Sequence, residues 1–177
     1  MEHKIKQFYF FILLAFIAVG CASAKKSKLK DQISSVIKAA RSYTGTPYKW
    51  GGTTRAGIDC SALTGHAYEA IHVNLPRTAD KQALQGEKIK MEELKPGDLL
   101  LFATGKKKKQ ITHVGMVTEV KGKENVKFIH ASTSLGVVET NLYAEYYLKR
   151  FPGSKTDFEV IPCLKNKLKY ICCPSGD

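Results

Sequence analysis

The hydrophobic period of this chain changes once, at Pro96-Gly97-Asp98, and that change constrains the fold more than any other feature. Ahead of it, apolar residues recur at helical spacing. Ile33, Val36, Ile37 and Ala40 predict a helix over about 31–43, and Gly45-Thr46-Pro47 ends it. Cys60, Leu63, Ala67, Ala70 and Ile71 fall on one helical face, with Asp59 placed as N-cap and an end near Val73-Asn74, before Pro76. A short helix is expected over about 79–85, stopped by Gly86. Behind the change, short apolar runs read as strands: Asp98 to Ala103, His113 to Val120, Lys127 to Ser132 and Gly136 to Asn141. Tyr143 to Lys149 suits a helical turn. Helices first and an antiparallel sheet second make an α+β domain.

The first residues stand apart from that pattern. Lys4 and Lys6 precede Phe8 to Val19, an uncharged run of twelve residues. A bilayer span needs about 20 apolar residues, so the run suits the h-region of an export signal. The expected organisation is a signal peptide over 1–20, a tether over 21–30, a catalytic domain over 31–157, and a C-terminal edge strand or tail over 158–177. Phe158 to Ile161 is the candidate edge strand.

Ala18-Val19-Gly20-Cys21 resembles the bacterial lipobox, with Ala18 where that motif usually has Leu. On this reading Cys21 is lipidated and anchors the protein to a bacterial cell membrane, at its periplasmic or outer-membrane face. Two or more acyl chains, at about 0.8 kcal/mol per buried methylene, hold a protein stably at a membrane. Cleavage after Ala22 or Ala24, giving a secreted protein, is the alternative. Without residues 1–20 the charge is (28 − 2) − (16 − 1) = +11. So basic an exported chain expects an anionic partner such as wall polymer or lipid head groups. Nucleic acid is not expected, since no aromatic residues interleave the basic ones. The Lys106–Lys109 run reads as a solvated loop near His113, suited to attracting an anionic wall.

Among the five cysteines, Cys163, Cys172 and Cys173 crowd the C-terminus, where two of them can pair in an oxidising compartment. Cys60 stands alone in mid-chain. A thiol attacks as thiolate, and a helix N-terminus favours that form through unpaired amides and partial positive charge. The same amides suit the oxyanion of a tetrahedral intermediate. The bland alternative is a buried small hydrophobe, the usual fate of a free cysteine. His113 and His130 fall on strands read as neighbours. A hairpin turning at Lys121-Gly122 sets them directly opposite, with Cβ atoms about 4.5–5.5 Å apart; Glu124-Asn125 competes as the turn centre.

Gly45-x-Pro47-Tyr48-x-Trp50-Gly51-Gly52 followed by Asp59-Cys60-Ser61 resembles the NlpC-type family of papain-like endopeptidases. Leu75-Pro76-Arg77-Thr78, Gln82, Gly86, Leu94-Lys95-Pro96-Gly97-Asp98-Leu99, His113-Val114-Gly115-Met116-Val117, Phe128-Ile129-His130-Ala131-Ser132 and Gly136-Val137 continue it in order. The resemblance covers about residues 40–150. It implies a papain-like fold, with the nucleophile at a helix N-terminus packed on a central antiparallel sheet. It implies a cysteine-type hydrolase of peptidoglycan stem peptides, acting beside D-glutamate and a diamino acid through a thioester acyl-enzyme. Cys60, His113 and His130 match the family triad, and Tyr48, Asp59 and Ser61 match its substrate-binding positions. His113 then takes the thiol proton and returns it to the leaving amine, while His130 fixes the tautomer of His113.

No cofactor is expected, and a monomer is. A zinc site built from Cys60, His113 and His130 lacks any close ligand pair. His66 and His72 read as surface histidines, Asp59 as a helix cap whatever else it does, and Arg77 as the partner of a carboxylate of the fold or of the substrate. Two competing functions remain: a papain-like amidase or acyltransferase on another amide or lipid, and a non-catalytic wall-binding lipoprotein.

Overall fold

Leu99-Leu100-Leu101-Phe102 has no polar residue on either side, and in the computed structural model it is a strand covered on both faces. The structure describes residues 27–85, 88–89, 91–105, 110–122, 124–149 and 158–161. The expected signal segment over 1–20, Cys21, Lys106–Lys109, Cys163, Cys172 and Cys173 lie outside the described residues. The chain divides into two units, Met1–Ser34 and Ser35–Asp177. Helical residues 27–41 (α1) begin in the first and end in the second, where Val36, Ile37 and Ala40 are buried. Among the described residues, no helix is long and apolar enough to cross a membrane.

The second unit carries the remaining elements in the order β1 (Thr53–Thr54), β2 (Gly57–Ile58), α2 (Cys60–Glu69), α3 (Ala79–Ala83), β3 (Lys88–Ile89), a 3-10 turn (Met91–Glu93), β4 (Leu99–Phe102), β5 (His113–Val120), β6 (Val126–Ser132), β7 (Gly136–Asn141), α4 (Glu145–Leu148) and β8 (Phe158–Ile161). Helices followed by an antiparallel sheet give the α+β architecture expected. The six-stranded sheet runs β3-β8-β4-β5-β6-β7, and β1 pairs with β2 as a separate ribbon. The strand over 158–161 is not an edge. It pairs with β4 on one side and with the two-residue β3 on the other. A catalytic domain ending at residue 157 therefore omits a strand of its own sheet. Two residues carry no readable period, so β3 gave no sign in the sequence that another strand lay outside β8.

Each face of the sheet has its own cover. The small first turn of α2 (Cys60, Ser61, Ala62) and its Leu63, Thr64, Ala67 and Tyr68 are buried, and the helix packs on β5 and β6. Small side chains let the helix approach the strands closely. Leu100, Phe102, Val117, Val126, Phe128 and Leu142 form a core cluster, against which Met91, Tyr143 and Tyr147 pack. The helix α2 stops at Glu69, short of the expected Val73-Asn74. His72, with φ of 59°, turns the chain out of the helical path.

The β5–β6 hairpin also differs from expectation. Its loop closes between Lys121 and Asn125, with Lys121 N donating to Asn125 O at 2.8 Å, so neither proposed turn pair centres it. Pairing runs Met116 to Ile129 and Val117 to Phe128, then shifts so that Glu119 faces Lys127. Thr118 is the extra residue of a bulge. Continuing the inner register sets His130 against Gly115, not against His113.

Candidate active site

Cys60 is the first residue of α2, and Asp59 caps that helix by accepting from Ala62 N at 2.8 Å. The capping carboxylate has further partners. Its Oδ1 accepts from Ser61 Oγ at 3.0 Å and from Arg77 Nη1 at 3.0 Å, and its Oδ2 from Arg77 Nη2 at 2.7 Å. Gly51, in the left-handed region at φ 71°, donates its amide to Oδ2 at 3.1 Å. Arg77 Nη1 also reaches Ser61 Oγ at 3.0 Å. Arg77 is thus the partner of a carboxylate of the fold. Burial alone would raise the pKa of Asp59, but the Arg77, Ala62 and Ser61 hydrogen bonds outweigh it and hold the carboxyl below its ordinary value. Arg77 is raised in turn by the same pair.

Gln82 ties this corner to α2. It is fully buried, with Nε2 donating to Ser61 O at 3.0 Å and to Pro76 O at 2.9 Å, while its Oε1 accepts from Thr64 Oγ1 at 2.9 Å. Sequence reasoning met Gln82 only as one position in a motif. Tyr48 bridges to Ile58, and its hydroxyl is raised by burial and then by the nearby Cys60 and Asp59 charges.

Cys60 is 7% exposed. The backbone amides of Val114, of Ser61 and of Cys60 itself lie close enough to the sulfur to favour its anionic form. The strand geometry explains the first of these. Val117 N donates to Asp98 O at 2.8 Å, on the β4 side. Strand amides alternate sides, so the amide of Val114, three residues away, faces the opposite edge, where the β5–β6 pairing does not begin until Met116. Burial pushes the thiol up, the Val114 amide pulls it down, the Asp59 charge pushes up again, and the net value lies above the ordinary thiol range. The helix terminus favours the thiolate as expected, but burial opposes it.

His113 begins β5, next to Val114, and is half-buried. Its Nε2 lies 3.0 Å from Nδ1 of His130, the rings meeting edge to face at a centroid distance of 5.1 Å. The pair meets diagonally across the strands, within reach of ring side chains, and not directly opposite as the sequence suggested. His130 is 1% exposed. Its Nε2 faces Tyr147 Oη at 3.0 Å and Thr140 Oγ1 at 3.3 Å. Tyr147 and Thr140 went unnoticed in the sequence. Burial pulls His113 down to about 4. Burial, followed by the neighbouring His113 charge, pulls His130 to about 3. Both rings are therefore neutral at neutral pH, beside a protonated thiol. His113 Nε2 is taken, which leaves Nδ1 as the nitrogen open to a proton.

Gly115 makes this arrangement possible. A Cβ there would lie 2.6 Å from the Phe128 ring and 3.1 Å from Ile129 O. Phe128 stacks on His130 at 4.8 Å, so the bare strand at Gly115 sets where the ring beneath His130 can sit. His66 lies elsewhere, stacked on Tyr43 at 5.6 Å and bonded to Thr53 O at 2.8 Å. Among the described residues, no group of three His, Cys, Asp or Glu side chains is arranged to hold a metal ion.

Comparison with known proteins agrees with this geometry. The NlpC/P60 family matches residues 45–156. The "Probable endopeptidase NlpC" of Escherichia coli is 35% identical over 153 residues, which is 82% of this chain and 96% of that protein. The Escherichia coli "Murein DD-endopeptidase MepS/Murein LD-carboxypeptidase" is 33% identical over 127 residues, covering 71% of this chain and 60% of its own length. A crystal structure of an NlpC/P60 family protein from Bacillus cereus superposes with a TM-score of 0.62 at 26% identity, over 75% of this chain and 40% of that one.

Proposed function

This chain belongs to the NlpC/P60 family, and we propose from that membership and the site's geometry that it is a cysteine-type endopeptidase that cleaves peptidoglycan stem peptides. The observation that carries the proposal is the placement of the Cys60 sulfur. It lies at the start of α2 among three backbone amides, one of them from the residue after His113, whose far nitrogen is held by His130. The relatives' names point to the same chemistry, an endopeptidase in one case and a murein hydrolase in another.

The steps follow from the resting neutral pair. His113 accepts the Cys60 proton on Nδ1 as the sulfur adds to the scissile carbonyl. Thiolate and imidazolium form together in that step, each stabilising the other's charge. The carbonyl oxygen becomes an oxyanion and takes backbone amide donors at the N-terminus of α2. Collapse breaks the C–N bond, and His113 delivers its proton to the departing amine. A thioester remains. Water, deprotonated by His113, then hydrolyses it, and the thiol regains its proton.

The bond favoured is D-glutamyl to diamino acid. Asp59 has its charge matched by Arg77, so the substrate amine meets a corner made of Tyr48, Ser61 and that ion pair rather than a lone carboxylate. We place the enzyme outside the cytoplasm, anchored through a lipidated Cys21, with its basic charge drawing it to the wall. Incorporation of labelled palmitate into the full chain, lost in Cys21→Ala, tests the anchor.

The activity is tested by digesting purified sacculi with the wild type and with Cys60→Ala and His113→Ala, and reading the fragments by mass spectrometry. New glutamyl-terminated stem fragments are expected from the wild type alone. Fragments that persist in Cys60→Ala, or none from the wild type, would refute the proposal.

A further inference from the structure

We propose that Tyr147 is a positioning residue: its phenolic oxygen, with the Thr140 hydroxyl beside it, accepts the Nε2 proton of His130 and so keeps His130 Nδ1 a lone-pair acceptor for His113. The inference rests on the proposed role of His113 as base.

One proton lies between the two imidazoles. His113 and His130 meet Nε2 to Nδ1 at 3.0 Å, and a neutral imidazole carries a single N–H. To take the thiol proton on Nδ1, His113 must carry its own proton on Nε2, aimed at His130. His130 must then present a lone pair at Nδ1 and carry its proton on Nε2. That N–H is sealed in protein, since His130 is 1% exposed, and a buried donor left without an acceptor is destabilising. Two oxygens meet it: Tyr147 Oη at 3.0 Å and Thr140 Oγ1 at 3.3 Å. A ring lone pair accepts one good hydrogen bond, whereas an N–H is readily shared between two oxygens. Two hydroxyls on one nitrogen therefore favour Nε2 as the donor.

The surrounding rings fix the direction of this bond. Tyr147 meets His130 edge to face at 5.3 Å, Phe128 at 5.0 Å and Phe102 at 5.6 Å. These contacts belong to the ring and survive loss of the hydroxyl. Without the two oxygens His130 gains by moving its proton to Nδ1. It then confronts His113 with a donor, driving the His113 proton to Nδ1, where it blocks acceptance from the thiol. In an unrelated triad the wrong tautomer alone costs about 10⁴ in turnover. The effect here is indirect and shared with Thr140, so about tenfold is expected.

Tyr147→Phe and Thr140→Val in the full chain test the idea, with melting temperature as the folding control. Nitrogen-15 spectra of histidine-labelled protein at neutral pH should show neutral His130 with its proton on Nε2 in the wild type, and a mixture of the Nε2 and Nδ1 tautomers in Tyr147→Phe. On soluble stem peptides, Tyr147→Phe should lose about tenfold in kcat with KM unchanged, and Thr140→Val less. A wild-type His130 protonated on Nδ1 overturns the proposal. So does a Tyr147→Phe protein that keeps the wild-type tautomer, whatever its kcat. If the wild type cleaves no stem peptide, the proposed function fails on its own, and the tautomer measurement still decides the role of Tyr147.

Discussion

On the helix side of Cys60, Asp59, Arg77, Ser61 and Gln82 form a network in which charge meets charge and hydrogen bonds run to the backbone. On the sheet side, His113 and His130 sit among Phe102, Phe128 and Tyr147, and burial suppresses their charge. One side is held by satisfied ions, the other by exclusion of ions. The difference matches the proposed roles. A carboxylate that caps the helix and stands at the substrate corner must keep its charge state, so it is locked by Arg77. A base must begin neutral, so it is desolvated.

The two sides should fail in different pH windows, and this is the largest effect expected. The folded pKa values of His113 and His130 lie below the ordinary 6.5, at about 4 and about 3. Above pH 6.5 neither state binds the protons, and the stability is fully present. As pH falls below 6.5 the unfolded chain protonates first, and stability declines until the folded pKa values are passed. The loss should reach on the order of 3 kcal/mol for each ring by pH 4. Asp59 is also depressed, but from a carboxylate value. Its contribution is intact above about pH 4 and is lost below. Urea titrations from pH 3 to 8 should show the first slope flatten in His130→Gln and the second in Asp59→Asn. Equal flattening of one window by both variants would erase the distinction.

Gly115→Ala strikes the sheet side alone. Its new methyl would need the space of the Phe128 ring, 2.6 Å away, and the carbonyl at Ile129 bars the other route. Overpacking of this kind costs about 1–3 kcal/mol, and the upper end is expected. Because Phe128 stacks on His130, turnover should fall as well, while the pKa of Asp59 followed by carbon-13 NMR stays put. A shift at Asp59 would mean that the two sides are mechanically coupled.

The sequence made one side far more legible than the other. Asp59-Cys60-Ser61 is local: a capping residue before a helical period places all three residues without any long-range contact. His113 and His130 were legible as residues, because strand alternation marks their runs, but not as a pair. A three-residue slip at the turn, of which the Thr118 bulge takes back one, moves His130 opposite Gly115, and neither the Lys121-Gly122 nor the Glu124-Asn125 signal encodes a bulge. Gln82, Thr140 and Tyr147 were invisible as parts of the site, since their partners are set by tertiary packing. The inner position of β8 was illegible for a similar reason: it depends on β3, whose two residues have no period. Asp59 met its N-cap expectation, yet its bidentate partner Arg77, eighteen residues on, was left open between fold and substrate.

Arg77 and Arg41 offer the smallest test and the sharpest one. Both pair with a carboxylate at 2.7 Å. Arg41 reaches Glu139 through one nitrogen, with both side chains substantially exposed, at 48% and 27%. Arg77 grips Asp59 with two nitrogens, and the Asp59 side chain is only 10% exposed. If charge alone mattered, the two arginines would be equivalent. An exposed pair contributes about 0–1 kcal/mol, so Arg41→Gln should change stability by no more than about 0.5 kcal/mol and leave turnover untouched. Arg77→Gln strands a buried carboxylate, at a cost of about 2 kcal/mol. It also removes the cation that offsets Asp59 beside Cys60, where the Asp59 charge already pushes the thiol up. Iodoacetamide alkylation of Cys60 should therefore slow in Arg77→Gln and keep its wild-type rate in Arg41→Gln. Equal alkylation in the two variants would show that the ion pair under the helix shapes the backbone without tuning the sulfur.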